Sequence, residues 1–140
     1  MAMDVKQAKR RGLETVEAAI LLPFMLLLIF ASCEYGWMFY RYQQITGAAR
    51  DGARVAIRAD AGAGDVTAAV ASRMTSAGMG ASGYSVSISP ATPTQGQPVT
   101  VSVTVRYGNI SLGLPMLPPL TGPGANKNIT GSVTMTKEGS

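Results

Sequence analysis

An α+β fold is predicted by three observations: a long apolar run near the N-terminus, a short amphipathic stretch behind a glycine-rich break, and a switch to two-residue alternation in the second half. A chain of 140 residues then has room for one membrane-embedded helix and one small folded domain, but not for two large domains.

The first element is a helix. From Leu13 to about Tyr40 the chain is apolar on all sides, with Glu17 and Glu34 near the two ends and Trp37, Phe39, Tyr40 and Tyr42 where interfacial aromatics belong. Between the two glutamates lie the 16 residues Ala18 to Cys33. That is short for a full span, so the helix must borrow Leu13–Val16 and the aromatic end, or thin the bilayer. Pro23 removes one amide from the ladder and predicts a kink or local unwinding. Past Tyr40 the helix continues as an amphipathic rod. Tyr42, Ile45, Ala49, Ala53 and Ala56 recur at helical spacing on one face, and Arg50, Arg54 and Arg58 line another. Unbroken from Leu13 to Arg58, it would extend about 69 Å.

Ala61-Gly62-Ala63-Gly64 is the expected break. Asp65 is then the expected N-cap of a second, short helix whose apolar face is Val66, Ala69, Val70, Met74 and Ala77, ended by Gly78. Three strands follow. Tyr84, Val86 and Ile88 alternate with serines; Val99, Val101, Val103, Val105 and Tyr107 alternate with Thr100, Ser102, Thr104 and Arg106; Ile129, Gly131, Val133 and Met135 alternate with Thr130, Ser132, Thr134 and Thr136. One buried and one solvated face per strand predicts an antiparallel sheet packed on the helices.

Charge narrows the function classes. The net charge is +4, but Lys6, Lys9, Arg10 and Arg11 against Asp4 supply most of it, leaving about +1 for the remainder. That is too little for a phosphate-binding footprint, so nucleic acid is not an expected partner. A basic cluster before an apolar run is instead a cytoplasmic anchor, which places the C-terminal part on the other side of a membrane. Cys33 is the sole cysteine, so no intrachain disulfide forms, and there is no histidine. Asp51, Asp60, Asp65 and Glu138 are widely scattered. Neither a nucleophile–base pair nor a metal cluster assembles, and no enzyme activity, cofactor or small-molecule substrate is expected.

Glu17 stands where a charge is costly, up to about 2.5–3.5 kcal/mol at the centre of a span, and a retained carboxylate there calls for a partner. If the chain were cut after Gly12, the new amine of Leu13 would lie about one helical turn from Glu17.

Gly12 followed by Val16-Glu17, Pro23 in a leucine-rich span, Glu34-Tyr35-Gly36 at its end, and Ala48-Ala49-Arg50-Asp51-Gly52-Ala53-Arg54 together resemble the TadE-like pseudopilin family, minor components of the tight-adherence pilus machinery related to type IV pili. The resemblance covers about residues 10–57. It implies a pilin-like α+β fold divided into a leader (1–12), a transmembrane helix (13–40), its amphipathic continuation (41–60) and a small head (61–140). It also implies that a membrane-embedded prepilin peptidase cuts between Gly12 and Leu13, and that Glu17 then assists ordered packing. Ala18 departs from the pattern, since related chains often carry an aromatic residue there. The implied location is a bacterial inner membrane, N-terminus cytoplasmic and head periplasmic, with the protein either retained there or incorporated in an extracellular pilus. The implied partners are the peptidase, the membrane, and other pilins and minor pilins.

Two alternatives remain open on the residues alone: an uncleaved signal-anchor whose head binds an envelope partner, and a lipoprotein lipidated at Cys33 within Phe30-Ala31-Ser32-Cys33. The apolar residues after Cys33 do not form the polar tether expected behind a lipid. Arg50, Arg54 and Arg58 read either as a solvated or headgroup-facing stripe or as a partner contact. Leu114, Met116 and Leu117, in a proline-rich apolar segment, read either as a loop tucked over the core or as a contact for another subunit.

Overall fold

The computed structural model describes residues 5–112 and 127–138. The longest element is a helix, α1 (Val5–Ala56), against which most of the rest of the fold packs. Its 52 residues correspond to about 78 Å of axis. It begins before Leu13 and stops at Ala56 rather than Arg58, and it runs through Pro23 without a break. Of the kink or local unwinding expected there, the unwinding does not occur, because a single missing amide leaves the flanking ladder in place.

After a turn, α2 (Ala63–Ser76) begins inside the glycine-rich break. Asp65 is not its N-cap. Gly62 takes that position, and Asp65, three residues on, accepts a hydrogen bond from the Gly62 amide at 2.9 Å. The carboxylate thus satisfies an end amide from within the first turn, where the helix dipole also favours it. Val66, Val70 and Met74 are buried, while Ala69 and Ala77 are half-buried. Gly78, at φ +69°, closes the helix: its amide donates to Thr75 O at 2.9 Å and that of Met79 to Met74 O at 2.8 Å. This paired closure brings the buried Met79 back beside the buried Met74 in the core, so the glycine-rich link is anchored there.

The sheet is antiparallel in the order β1 (Tyr84–Ser89), β2 (Pro98–Arg106), β3 (Asn128–Thr136). Register places Ile88, Val101 and Val133 in one row and Tyr84, Val105 and Ile129 in another. Val99, Val101, Val103 and Val105 are fully buried, each stabilising by about 1.5–3 kcal/mol relative to exposure. The opposite face carries hydroxyls, two pairs of which bond across strands, Thr100 to Thr134 at 2.7 Å and Thr104 to Thr130 at 2.9 Å.

The core lies between this sheet and the upper part of α1, with α2 alongside. Ile45, Ala48, Ala49, Ala53 and Ala56 of α1 are buried in it, whereas Tyr42, expected on the same face, is exposed. Small residues are required at this contact. A Cβ on Gly131 of β3 would lie 2.8 Å from the Thr46 amide nitrogen, and one on Gly52 would lie 2.7 Å from Val70 Cγ2. The head is therefore built around α1 rather than appended to it.

Candidate functional site

Residues 14–33 of α1 contribute nothing to that core. Ile20 is 70 % exposed, and Phe24, Leu22 and Ile29 are similarly bare. Among the described residues one helix is long and apolar enough to cross a membrane, within Glu14–Ala56. The change from bare apolar helix to head-bearing helix falls at Glu34, which is fully buried.

A polar seam starts there. Tyr107, in the 3-10 turn Tyr107–Asn109 after β2, donates its hydroxyl to Glu34 Oε1. One turn further, Trp37 Nε1 donates to the Ile110 carbonyl at 2.7 Å. Next, Arg41 Nη1 donates to the Ala77 carbonyl at 3.0 Å, its guanidinium lying 4.4 Å from the Trp37 ring centroid. Residues 34, 37 and 41 occupy one face of the helix, so the seam fastens the sheet's end and the α2 terminus to α1 along consecutive turns. Glu34 Oε2, Arg41 Nε and Thr46 Oγ1 are buried with no hydrogen-bond partner among the described residues. Burial first, then the hydrogen bond to Glu34 and the electrostatic effects of Glu34 and Tyr35, push the Tyr107 phenol well above its ordinary value of 10.0. It stays a neutral donor to the carboxyl group throughout the physiological range.

At the other end of the head, the Glu138 amide donates to the Ile57 carbonyl at 3.0 Å. Strand β2 accordingly runs antiparallel to α1, from the Ile57 end down to Glu34.

The residues singled out from sequence are spread along the rod. Gly12 and Leu13 lie within α1. Glu17 is exposed, 17 positions or about 26 Å of axis before Glu34. Pro23 lies between them, and Cys33 is exposed. Arg50, Arg54 and Arg58 are exposed, and Asp51 pairs with Arg73 of α2 at 3.7 Å. Leu114, Met116 and Leu117 lie outside the described residues. The structure does not bring Glu17 near the arginine stripe. The seam itself was not anticipated. Its one available signal was Glu34, a second carboxyl at the border of an apolar run.

With the geometry in view, the comparison with known families gives one finding: residues 12–54 match the model of the family described as TadE-like protein. Over this stretch the chain is similar to TadE-like proteins. It contains the bare apolar half of α1, Glu34, Trp37 and Arg41, and the small residues Ala48, Ala49, Gly52 and Ala53 that lie under the head. No curated protein and no solved structure gives a significant match.

Proposed function

We propose that the chain is a membrane-anchored minor pilin of a tight-adherence pilus, active in priming or incorporation during assembly. In this reading residues 1–12 are a leader, 13–40 the transmembrane helix, 41–60 its amphipathic continuation and 61–140 the head. The N-terminus stays in the cytoplasm of a bacterial cell and the head stands on the periplasmic side of the inner membrane. A prepilin peptidase cuts between Gly12 and Leu13. Glu17 then neutralises the Leu13 amine of its own or a neighbouring subunit and sets axial register as subunits enter. Other pilins and minor pilins are the partners, with Arg50, Arg54 and Arg58 and the segment around Leu114, Met116 and Leu117 as contact surfaces.

One observation carries the reading: the TadE-like segment coincides with a helix whose first half is apolar and bare and whose second half is roofed by a head. A bare apolar helix needs lipid or other helices around it, and helices in a bilayer associate by packing.

Intact mass and N-terminal sequencing of the membrane-fraction protein, with and without an active prepilin peptidase, test the proposal. A mature chain starting at Leu13 supports it. An uncut chain replaces it with a signal-anchor, and a lipidated start at Cys33 replaces it with a lipoprotein. Substituting Gly12 by a bulky residue should accumulate the uncut form. Glu17→Ala should insert normally yet enter assemblies poorly, and normal incorporation of that variant would remove the register role.

A further inference from the structure

The seam at Glu34 fixes more than the fold, because it determines which end of the sheet meets the end of the bare apolar helix. Tyr107 bonds Glu34, and its own amide donates to the Lys127 carbonyl at 2.8 Å. Arg106 precedes Tyr107 and is paired in register with Asn128. This end of the head therefore carries two exposed cations, Arg106 and Lys127. Arg106, Asn109 and Asn128 help line an open polar hollow of about 280 Å³.

A second hollow of about 250 Å³, on the sheet face turned toward α1, is lined among the described residues by Met38, Phe39, Tyr42 and Ile129. Tyr35, Phe39 and Tyr42 continue the helix's apolar stripe about 12 Å beyond Glu34, and all three are exposed.

The opposite charge sits elsewhere. Among the described residues the carboxylates of the head and its helix beyond buried Glu34 are Asp51, Asp60, Asp65 and Glu138. Asp51 is taken by Arg73. Asp60, Asp65 and Glu138 belong to the end near Ile57, about 35 Å of helix axis from Glu34.

We propose that the Arg106–Lys127 end of the head rests on an anionic phospholipid surface. The two cations pair with lipid phosphates, and the Met38–Phe39–Tyr42–Ile129 hollow settles at the boundary between headgroups and acyl chains. Three features select lipid as the occupant: the apolar stripe is continuous with the span, the cations stand at the end of the head nearest the bare helix with no exposed carboxylate among the described residues of the head to compete for them there, and exposed tyrosines flank the contact. The proposal rests on the reading of α1 as a membrane anchor, but not on leader cleavage or on pilus assembly. Its consequence is a head held at a set angle to the bilayer by the seam within and by lipid beneath.

The test uses the full-length chain in nanodiscs of phosphatidylcholine alone or mixed with phosphatidylglycerol. A fluorophore is placed, one site at a time, on native Cys33, or on Asn128→Cys or Thr94→Cys in a Cys33→Ser background. Quenching is read with phosphatidylcholine spin-labelled on the headgroup or on the acyl chain. Acyl-chain label should quench the Cys33 probe. Headgroup label should quench position 128 strongly and position 94, at the far end, hardly at all. In the mixed lipid, Arg106→Gln/Lys127→Gln should lower quenching at position 128 by about threefold or more, as should high salt, since each cation near an anionic surface changes occupancy by roughly fivefold. Circular dichroism of the double variant checks that the fold is kept.

No quenching at Cys33 would overturn the anchor itself. Quenching at Cys33 with none at position 128, or with no response to charge, would overturn the lipid contact alone. Protein-concentration-dependent self-quenching of the position 128 probe, without lipid quenching, would assign the surface to a second copy of the chain and equally overturn the proposal.

Discussion

Tyr107→Phe removes one oxygen from the protein and leaves Glu34 buried with no partner on either of its own. Glu34 is fully buried and its Oε2 is already unpaired, so the Tyr107 hydroxyl is the one hydrogen bond the carboxyl receives among the described residues. Leaving a buried polar group without its hydrogen bond costs about 1–3 kcal/mol. For a cooperative unit of around 100 residues, this lowers Tm by roughly 4–24 °C. The assay is thermal unfolding in detergent micelles, followed by near-ultraviolet circular dichroism and by fluorescence of Trp37, the sole tryptophan, which reports on the adjoining bond to Ile110.

The asymmetry of the pair makes the prediction sharper. Glu34→Leu alone strands the Tyr107 hydroxyl and costs about 1–3 kcal/mol. Glu34→Leu/Tyr107→Phe removes both polar groups together and should lie within about 1 kcal/mol of the native protein, because an apolar pair avoids the desolvation that a buried carboxyl entails. The double-mutant cycle should show a coupling of at least about 1 kcal/mol. If Tyr107→Phe costs less than about 0.5 kcal/mol, or the double variant loses the full sum of the singles, the seam does not hold the head as described and the energetic reasoning fails.

Alkaline titration should separate the same variants. The Tyr107 phenol is raised in the folded state, so above about pH 10 the unfolded chain releases a proton that the folded one keeps. The associated stability is complete below that pH and falls as pH rises, by up to about 1.4 kcal/mol per unit more steeply than in Tyr107→Phe, measured by denaturant unfolding at stepped pH. Gly131→Ala should destabilise by about 1–3 kcal/mol, since its Cβ meets helix backbone at Thr46, which cannot swing aside. Gly52→Ala meets a valine methyl instead, and both can be read from denaturant midpoints. Asp65→Ala should cost about 0.5–1 kcal/mol through the lost bond to the Gly62 amide.

Strand positions were legible because alternation leaves little freedom. A one-residue slip of β2 would expose Val99, Val101, Val103 and Val105 together, and all four are buried. Helix boundaries were less so. A glycine at Gly62 gives no side-chain signal, and Asp65 satisfies an end amide equally well from the cap or from the first turn, so the sequence favoured the commoner arrangement. Tyr42 shares the helical spacing of Ile45 and Ala49, but it lies at the edge of the covered face, lining a hollow with Ile129, and periodicity does not report how wide the roof is. Gly131 fitted the apolar face without revealing why it must be glycine, since the reason is the Thr46 backbone, 85 positions away in the chain. The seam was hidden for the same cause. Tyr107 and Glu34 are separated by 73 residues, and alternation places Tyr107 on the inner face without naming what it meets.

Two carboxyls about 26 Å apart on one helix meet the same problem with different solutions. Both border an apolar run, and a charge in such a place is expensive unless something answers it. Glu34 is answered within the chain, by Tyr107, and in being answered it fixes where the head begins and which end of the sheet faces the span. Glu17 is exposed and the head is out of its reach. In the proposed assembly its answer must come from a terminal amine, and therefore from processing at Gly12. The division explains why changes at the two positions should be separable: losing the Glu34 pair should loosen the head on an inserted protein, while losing Glu17 should leave a correctly folded head on a helix that fails to join its neighbours. A protein in which Glu17→Ala lowered the thermal stability of the head, or Tyr107→Phe left stability intact and blocked incorporation, would contradict that division directly.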